Sequence, residues 1–204
     1  MKSKDILSKN KLRELYFNKK LSMMQISKIL KCSPNKVAYW MKKYNLLRRD
    51  LSESAYVFNN PKGDPFLFHG PKTKEEAILY GVGIGLYWGE GTKANKHSIK
   101  LGNTDPDLIL TFISFLEIFF SIPKKELSFG IQVFSDMSPE KVISFWCNKL
   151  QVFKSQFMKT IITETRNNGT YTKKVKYGVL TIYFNNIKAR NIMFNLIEER
   201  REKV

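Results

Sequence analysis

The sequence predicts an α+β protein in which a small all-helical domain precedes a larger domain of helices and strands. In residues 1–50, apolar residues recur at helical spacing in three short segments. After residue 74 the patterns change in the order helix, strand, helix, strand, helix, two strands, helix. Turn-forming residues at 59–65 and 70–71 separate the two parts. We therefore expect domains at 1–50 and 75–204, joined by a linker at 51–74.

The charge balance indicates the class of molecule that the protein binds. Among 204 residues there are 35 lysines and arginines against 18 acidic residues, a net charge of +17. Such a field attracts polyanions, nucleic acid before acidic membrane. No apolar run approaches the roughly 20 residues of a membrane span, and no lipidation motif or signal peptide is present. We expect a cytoplasmic, nucleoid-associated protein with no membrane partner.

The two cysteines indicate neither a disulfide framework nor a zinc site. Cys32 and Cys147 lie far apart, and no Cys/His spacing typical of zinc ligands occurs. We interpret both as core thiols of a reducing compartment.

Residues 1–50 predict three helices. Ser22 and Ser33 are the expected N-caps of the second and third helices, Pro34 the first residue of the third, and Asn45 its stop. The apolar side chains expected to face inward are Leu12, Leu15, Tyr16, Met23, Ile26, Ile29, Leu30, Val37, Trp40, Met41 and Tyr44.

The short turn before the third helix resembles that of a helix-turn-helix DNA-binding domain. Asn35, Lys36 and Tyr39 lie early on the outward face of the third helix and are predicted to reach base edges. A basic three-helix domain that binds nothing in particular is the alternative; clustered charge, turn spacing and capping together favour DNA. The residues predicted to contact phosphates are Lys42, Lys43, Arg48 and Arg49.

The linker is predicted to be non-helical, because prolines, glycines and asparagines punctuate it. Its aromatic residues, however, are too many for a flexible tether. We expect part of it to lie on the second domain, with His69 at the surface.

An apolar, glycine-rich stretch at residues 81–91 organises the second domain. Gly81, Gly85 and Gly89 recur every four residues, which places them on one face of a helix. Each helical glycine costs roughly 1 kcal/mol relative to alanine, so the stripe predicts close packing on another helix. Glu90 follows at the helix end. The alternative is a buried glycine-rich helix that ends on a solvated glutamate; glycine-rich nucleotide-binding motifs are absent.

Residues 83–91, Gly-Ile-Gly-Leu-Tyr-Trp-Gly-Glu-Gly, resemble the LAGLIDADG motif of homing endonucleases and their relatives. The resemblance extends over residues 75–204 and implies an αββαββα domain. It also implies that helices of two protomers pack through their small residues, here Gly81, Gly85 and Gly89. The last acid of each helix, here Glu90, then binds a divalent metal such as Mg²⁺ beside DNA. The sequence departs from the pattern at Tyr87-Trp88, in having Glu for Asp, in a very short first hairpin and in an extra helix at 138–150.

Basic residues follow Glu90 directly, which suits a phosphate site because cations hold the phosphate while the acid holds a metal. Glu90, Lys93 and Lys100 are the predicted catalytic residues, and Lys96 is a predicted DNA contact. His97 as a general base is a weaker hypothesis. Ordinary solvated charges are the alternative.

The rest of the second domain is predicted as follows. A strand at 98–101 precedes a helix at 107–120 that Thr104 or Asp105 caps. A strand at 127–134 and the helix at 138–150 come next. Strands at 157–165 and 176–184 form a hairpin about the Asn168-Gly169 turn, before a last helix at 188–199. The hairpin is predicted to lie in a DNA groove through Arg166, Lys173, Lys174 and Lys176.

These patterns favour a sequence-specific double-stranded DNA-binding protein, in the first instance a homodimeric, Mg²⁺-dependent site-specific endonuclease. The alternative is a transcription regulator, resembling regulators of the sporulation-factor type, in which the same fold only binds and dimerises. An RNA-binding protein is a distant third, because the aromatic residues occupy core positions.

Overall fold

In the computed structural model, the chain is described at residues 6–164 and 176–201. Its contacts divide it into two units, Met1–Pro65 and Phe66–Val204, at a point inside the predicted linker. The described residues form eight α-helices and a four-stranded sheet, so the mixed helical and strand composition is confirmed. None of the helices in this described part has the length and apolarity needed to cross a bilayer.

The first unit begins with three short helical segments. Helix α1 spans Lys9–Arg13 and continues as a π-helix over Glu14–Asn18; α2 spans Met23–Ile29 and α3 spans Pro34–Lys43. The predicted caps are confirmed, because Ser22 Oγ accepts from the Gln25 amide and Ser33 Oγ from the Lys36 amide. Asn45, with φ of 52°, takes the left-handed conformation that ends a helix.

The core of this unit lies between the three helices. Leu12, Leu15, Tyr16, Ile26, Val37 and Met41 are buried, and Trp40 and Tyr44 pack against them. The inward assignment of Ile29 is wrong, since its side chain is 53% exposed. The reason is the shortness of α2: Ile26 takes the inward position, and Leu30, four residues on, takes the next.

The non-helical assignment of the whole linker is also wrong. Helix α4 spans Leu51–Asn59, and Asp50 caps it by accepting from the Glu53 amide at 2.6 Å. The turn-forming residues begin only at Asn59, so they end the helix and do not prevent it. Further on, the amides of Leu67 and His69 donate to the carbonyls of Phe120 and Phe119 in the second unit.

The second unit alternates helices with single strands. Thr73, Asp105 and Ser138 cap three of its helices as N-caps. The elements are α5 (Lys74–Glu90), β1 (Ile99–Asn103), α6 (Pro106–Phe120), β2 (Ser128–Phe134), α7 (Pro139–Leu150), β3 (Ile161–Thr163), β4 (Val179–Phe184) and α8 (Ile187–Arg201).

The strand order is β1-β4-β2-β3, which shows that the predicted hairpin of the last two strands is wrong. β3 pairs in parallel with β2, and β4 lies on the other side of β2, antiparallel to both β2 and β1. The physical reason is α7. A helix between two strands allows the crossover that parallel pairing requires, which a local turn signal does not reveal.

The sheet has one covered face and one open face. Side chains that alternate along the strands, such as Leu101, Phe129, Ile131 and Ile182, join a core that also includes α5, α6, α7 and α8. Helix α6 contributes more buried side chains than any other described element, with Phe112, Phe115 and Phe119 fully covered. On the opposite face, here called the open face, the described residues of β1, β2 and β4 are exposed or half-buried.

Candidate nucleic-acid interface

The outward face of α3 carries an exposed polar stripe. Asn35, Tyr39, Lys42 and Lys43 are exposed and follow one another at helical spacing. The Lys43 ammonium lies 4.7 Å from the centroid of the Trp40 ring, which holds its stem against the helix. Lys36 is half-buried beside this stripe. The predicted base-contacting and phosphate-contacting residues of α3 therefore lie together on one side.

The two arginines after α3 have different environments. Arg48 is exposed, as a phosphate contact requires. Arg49 instead donates to the carbonyls of Tyr16 at 2.9 Å and Leu21 at 2.7 Å, and its guanidinium lies over the Tyr16 ring. The structure thus uses Arg49 to fasten the chain after α3 onto the end of the first helical segment.

Glu90 is exposed at the last residue of α5, where the chain leaves the helix. Gly91 packs on Tyr87 so closely that a Cβ would meet the Tyr87 ring and carbonyl at 2.4 Å. Burial raises the pKa of the Tyr87 hydroxyl, and the positive charge of Arg190 opposes this. The tight Tyr87–Gly91 contact fixes the direction in which the chain continues after Glu90.

A helix C-terminus is an unfavourable place for a carboxylate, because the last carbonyls carry partial negative charge. A cation nearby compensates for this. Lys93 supplies one, since its ammonium donates to the Trp88 carbonyl at 2.5 Å. The predicted catalytic lysine is therefore part of the helix end in this structure.

The structure brings Glu90 close to Lys100 along the backbone. Gly91 forms an antiparallel bridge with Leu101, and the Thr92 amide donates to the Lys100 carbonyl at 2.8 Å. Glu90 and Lys100 are thus each one residue from the same bridge. Lys96 and His97, in the intervening loop, are both exposed.

Sequence reasoning missed the residue that ties this loop to the core. Arg190 of α8 is 9% exposed and donates to the carbonyls of Lys93 at 2.8 Å and Asn95 at 2.9 Å. Its neighbours in sequence gave no sign of this contact, because the partners lie more than 90 residues away.

Sequence reasoning also missed the open face of the sheet. Lys100 pairs with Tyr183, which pairs with Ser128, and the neighbouring row is Gly102, Thr181 and Gly130. Paired residues point to the same face. The Lys100 ammonium lies 5.1 Å from the Tyr183 ring centroid, and that ring lies over Gly130. These two rows therefore consist of small and polar residues with one aromatic ring and one cation.

The strand order contradicts the hairpin to which four basic DNA contacts were assigned, and these four residues are only partly described. Arg166, Lys173 and Lys174 lie outside the described residues. Lys176 is exposed, with its ammonium 5.2 Å from the centroid of the Tyr177 ring.

The glycine stripe of α5 faces outward. A Cβ on Gly81, Gly85 or Gly89 would meet no atom of the described chain within 4 Å. On the same face Ile78 is 62%, Val82 44% and Trp88 38% exposed. Gly83, by contrast, faces inward against Phe115. This face of α5 is apolar, and no other element of the described chain covers the glycines.

Glu90 can serve as one ligand of a divalent cation. In residues 6–164 and 176–201, no three His, Cys, Asp or Glu side chains are grouped to hold a metal. Mg²⁺ is usually held by one or two carboxylates together with substrate phosphates and water. An exposed carboxylate at a helix C-terminus fits that mode, because the partial negative charge there also favours a cation.

Comparison of the chain with protein-family models, with curated proteins and with solved structures found no match in any of the three.

Proposed function

We propose that this protein binds double-stranded DNA in a sequence-specific manner, with α2 and α3 as a helix-turn-helix and α3 as its recognition helix. The observation that carries the proposal is the stripe of Asn35, Tyr39, Lys42 and Lys43 on the outward face of α3. It lies opposite the buried Val37 and Met41, so α3 is held by its apolar side and offers its polar side. A helix presented in this way fits the major groove.

The order of elements in the second unit supports a LAGLIDADG-like domain. Gly91 and β1 form a minimal first hairpin, and β2 and β4 form a second antiparallel pair. When α7 and β3 are set aside as an insertion between β2 and β4, the order is helix, strand pair, helix, strand pair, helix. This is the αββαββα order that the motif implies.

The exposed face of α5 supports a homodimer through that helix. Three glycines with open space above them allow another backbone to come close, and Ile78 and Val82 beside them gain from burial. A second copy of α5 offers the same small and apolar surface, as a two-fold interface requires.

Within this assembly we propose site-specific phosphodiester hydrolysis with Mg²⁺. Glu90 would hold the metal, and Lys100, on the open sheet face, would contact the DNA phosphates. A bound Mg²⁺ supplies charge stabilisation at the phosphoryl group and lowers the pKa of a water molecule. Glu90 leaves the helix beside basic residues, which suits this role.

A transcription regulator is the second candidate, and Lys93 favours it. Its ammonium is engaged by the Trp88 carbonyl, so this lysine supports the helix end and is not presented to a substrate. A regulator needs the α3 surface and the dimer, but no reaction at Glu90.

The experiment compares the full-length protein with Glu90→Gln. Bound duplexes are first selected, and binding and cleavage are then measured with and without Mg²⁺. An endonuclease predicts cleavage that falls on the order of a hundredfold or more in Glu90→Gln, the scale of losing one group that stabilises transition-state charge. Glu75→Gln, an exposed carboxylate at the other end of α5, is the matched control.

The outcomes separate the candidates. Cleavage that is lost in Glu90→Gln and kept in Glu75→Gln supports the endonuclease. Specific binding without cleavage, equally tight in all three proteins, supports the regulator. No sequence-specific binding of duplex DNA by the wild type contradicts both.

A further inference from the structure

Arg190 contacts the loop at residues 92–98 through its guanidinium. Its Nε and one terminal nitrogen donate to the carbonyls of Asn95 and Lys93. The other terminal nitrogen donates to Asn191 Oδ1 at 3.4 Å, and the guanidinium lies 4.5 Å from the Phe194 ring centroid. In the described part of the chain, the hydrogen-bond partners of this buried cation are carbonyl and amide oxygens, with no carboxylate.

The first turn of α8, which carries Arg190, is held in place by hydrogen bonds and by burial. Asn186 precedes α8, is 4% exposed, and accepts from the amides of Lys188 and Ala189. Ala189 and Met193, on either side of Arg190, are fully buried. The guanidinium therefore extends from a rigid first turn of α8.

In the described chain, the other hydrogen bonds of the loop join residues close in sequence, including the one from the Lys93 ammonium to the Trp88 carbonyl. Within it, Asn95 Oδ1 accepts from the amides of His97 and Ser98, which shapes the turn but does not place it. The Thr92 amide bonds to β1 at the start of the loop. Arg190 is thus the long-range side-chain contact that sets where the middle of the loop lies relative to the sheet.

Arginine is suited to this task. Its planar fork donates two or more hydrogen bonds in fixed directions, whereas lysine offers a single point of charge. Arg190 holds the carbonyls of Lys93 and Asn95 at once. Because its guanidinium already packs on the Phe194 ring, it loses little conformational freedom in doing so.

We propose that Arg190 is the positioning residue of the loop at 92–98, holding Lys96 where it meets the phosphate backbone of bound DNA. Arg190 itself does not touch the DNA. The inference rests on the proposed DNA-binding function, and it extends that function to a residue of α8 that the motif does not include.

The first experiment tests the loop without DNA. In Arg190→Met, the amides of Thr92, His97 and Ser98 should exchange hydrogen roughly tenfold or more faster, because hydrogen bonds to a charged group are lost. Amides of α6 should be unchanged. Arg200→Met, an exposed arginine on the same helix, is the matched control and should leave all of these amides unchanged.

Arg190→Lys refines this experiment. Lysine keeps the charge but cannot hold both carbonyls, so loop exchange should accelerate here too. Unchanged loop exchange in either variant, or faster exchange spread equally over α6, would overturn the proposal. Failure of both variants to fold would also overturn it, because the side chain would then serve the core and not the loop.

The second experiment is a double-mutant cycle on duplex binding. Lys96→Ala should weaken binding several-fold in the wild-type background but less than about twofold in Arg190→Met, since the loop is already displaced. Lys42→Ala, on α3, should cost the same in both backgrounds. Equal costs of Lys96→Ala in both backgrounds would contradict the proposal. If the wild type binds no duplex, the proposed function fails, whereas the exchange experiment still decides the role of Arg190.

Discussion

At the scale of single residues, the glycines of α5 are of two kinds. A Cβ on Gly83 would lie 2.1 Å from a ring carbon of Phe115, so only glycine allows α5 to pack on α6 at this distance. Gly85, two residues on, has open space above it. Glycine therefore allows close packing within the chain at Gly83, whereas at Gly85 it leaves the helix surface accessible to another molecule.

Alanine at these two glycines should have opposite effects on the stability of the monomer. Gly83→Ala should lower the free energy of unfolding by about 1–3 kcal/mol, because the methyl group overpacks the contact with Phe115. Gly85→Ala should raise it by about 0.5–1 kcal/mol through helix propensity. Urea unfolding at concentrations where the chain is monomeric measures both; equal effects would contradict the assignment of the two faces.

Arg48 and Arg49 should likewise differ in their contribution to the free energy of unfolding. Arg49→Met should lower the free energy of unfolding of the first unit by about 2 kcal/mol, because the Tyr16 and Leu21 carbonyls lose a charged donor. Arg48→Met should change it by less than about 0.5 kcal/mol, since the side chain is exposed. Amide exchange of α1 to α3 in the full-length chain reports both. Destabilisation by Arg48→Met alone would reverse our interpretation.

At the scale of elements, α5 is apolar on two sides. Ile84 and Tyr87 face the core, whereas Ile78, Val82 and the glycines between them face outward. A helix that is apolar all round is one that is buried. The exposed side is thus the surface that the second copy of the proposed dimer would cover.

A bulky side chain on that side should separate the proposed dimer without unfolding the chain. Gly85→Leu is expected to yield a folded monomer in sedimentation equilibrium at concentrations where the wild type is a dimer, because leucine blocks the backbone approach. Gly70→Leu is the matched control, since Gly70 also has open space around it but lies before α5. A wild type that is monomeric at all concentrations would contradict the prediction.

The features predicted correctly from the sequence depend on neighbouring residues, whereas the features that were missed depend on residues far apart in the chain. Ser22 and Ser33 cap helices as expected, and Asp105, one of the two candidates expected there, caps α6, because a cap depends on the next three residues. The pairing of β3 with β2 was missed, because it depends on a crossover through α7. The Arg190 contacts were missed for the same reason, since no local pattern marks a partner 95 residues away.

At the scale of the whole molecule, the charge of +17 is not spread evenly. Basic residues lie on α3 in the first unit, and others lie in the loop after α5 and on the open sheet face of the second. In the proposed complex, two DNA-contacting units on one chain would increase affinity through effective concentration, and the proposed dimer would double their number. We infer that the DNA site this protein recognises is a long stretch of duplex and not a short one.

Selection from a random duplex library, followed by footprinting of the enriched site, tests this account most directly. We predict an enriched sequence with two-fold symmetry, protected on both halves by the wild type and on one half at most by Gly85→Leu. No enriched sequence, or an asymmetric site that Gly85→Leu protects as fully as the wild type, would contradict a dimer that reads DNA.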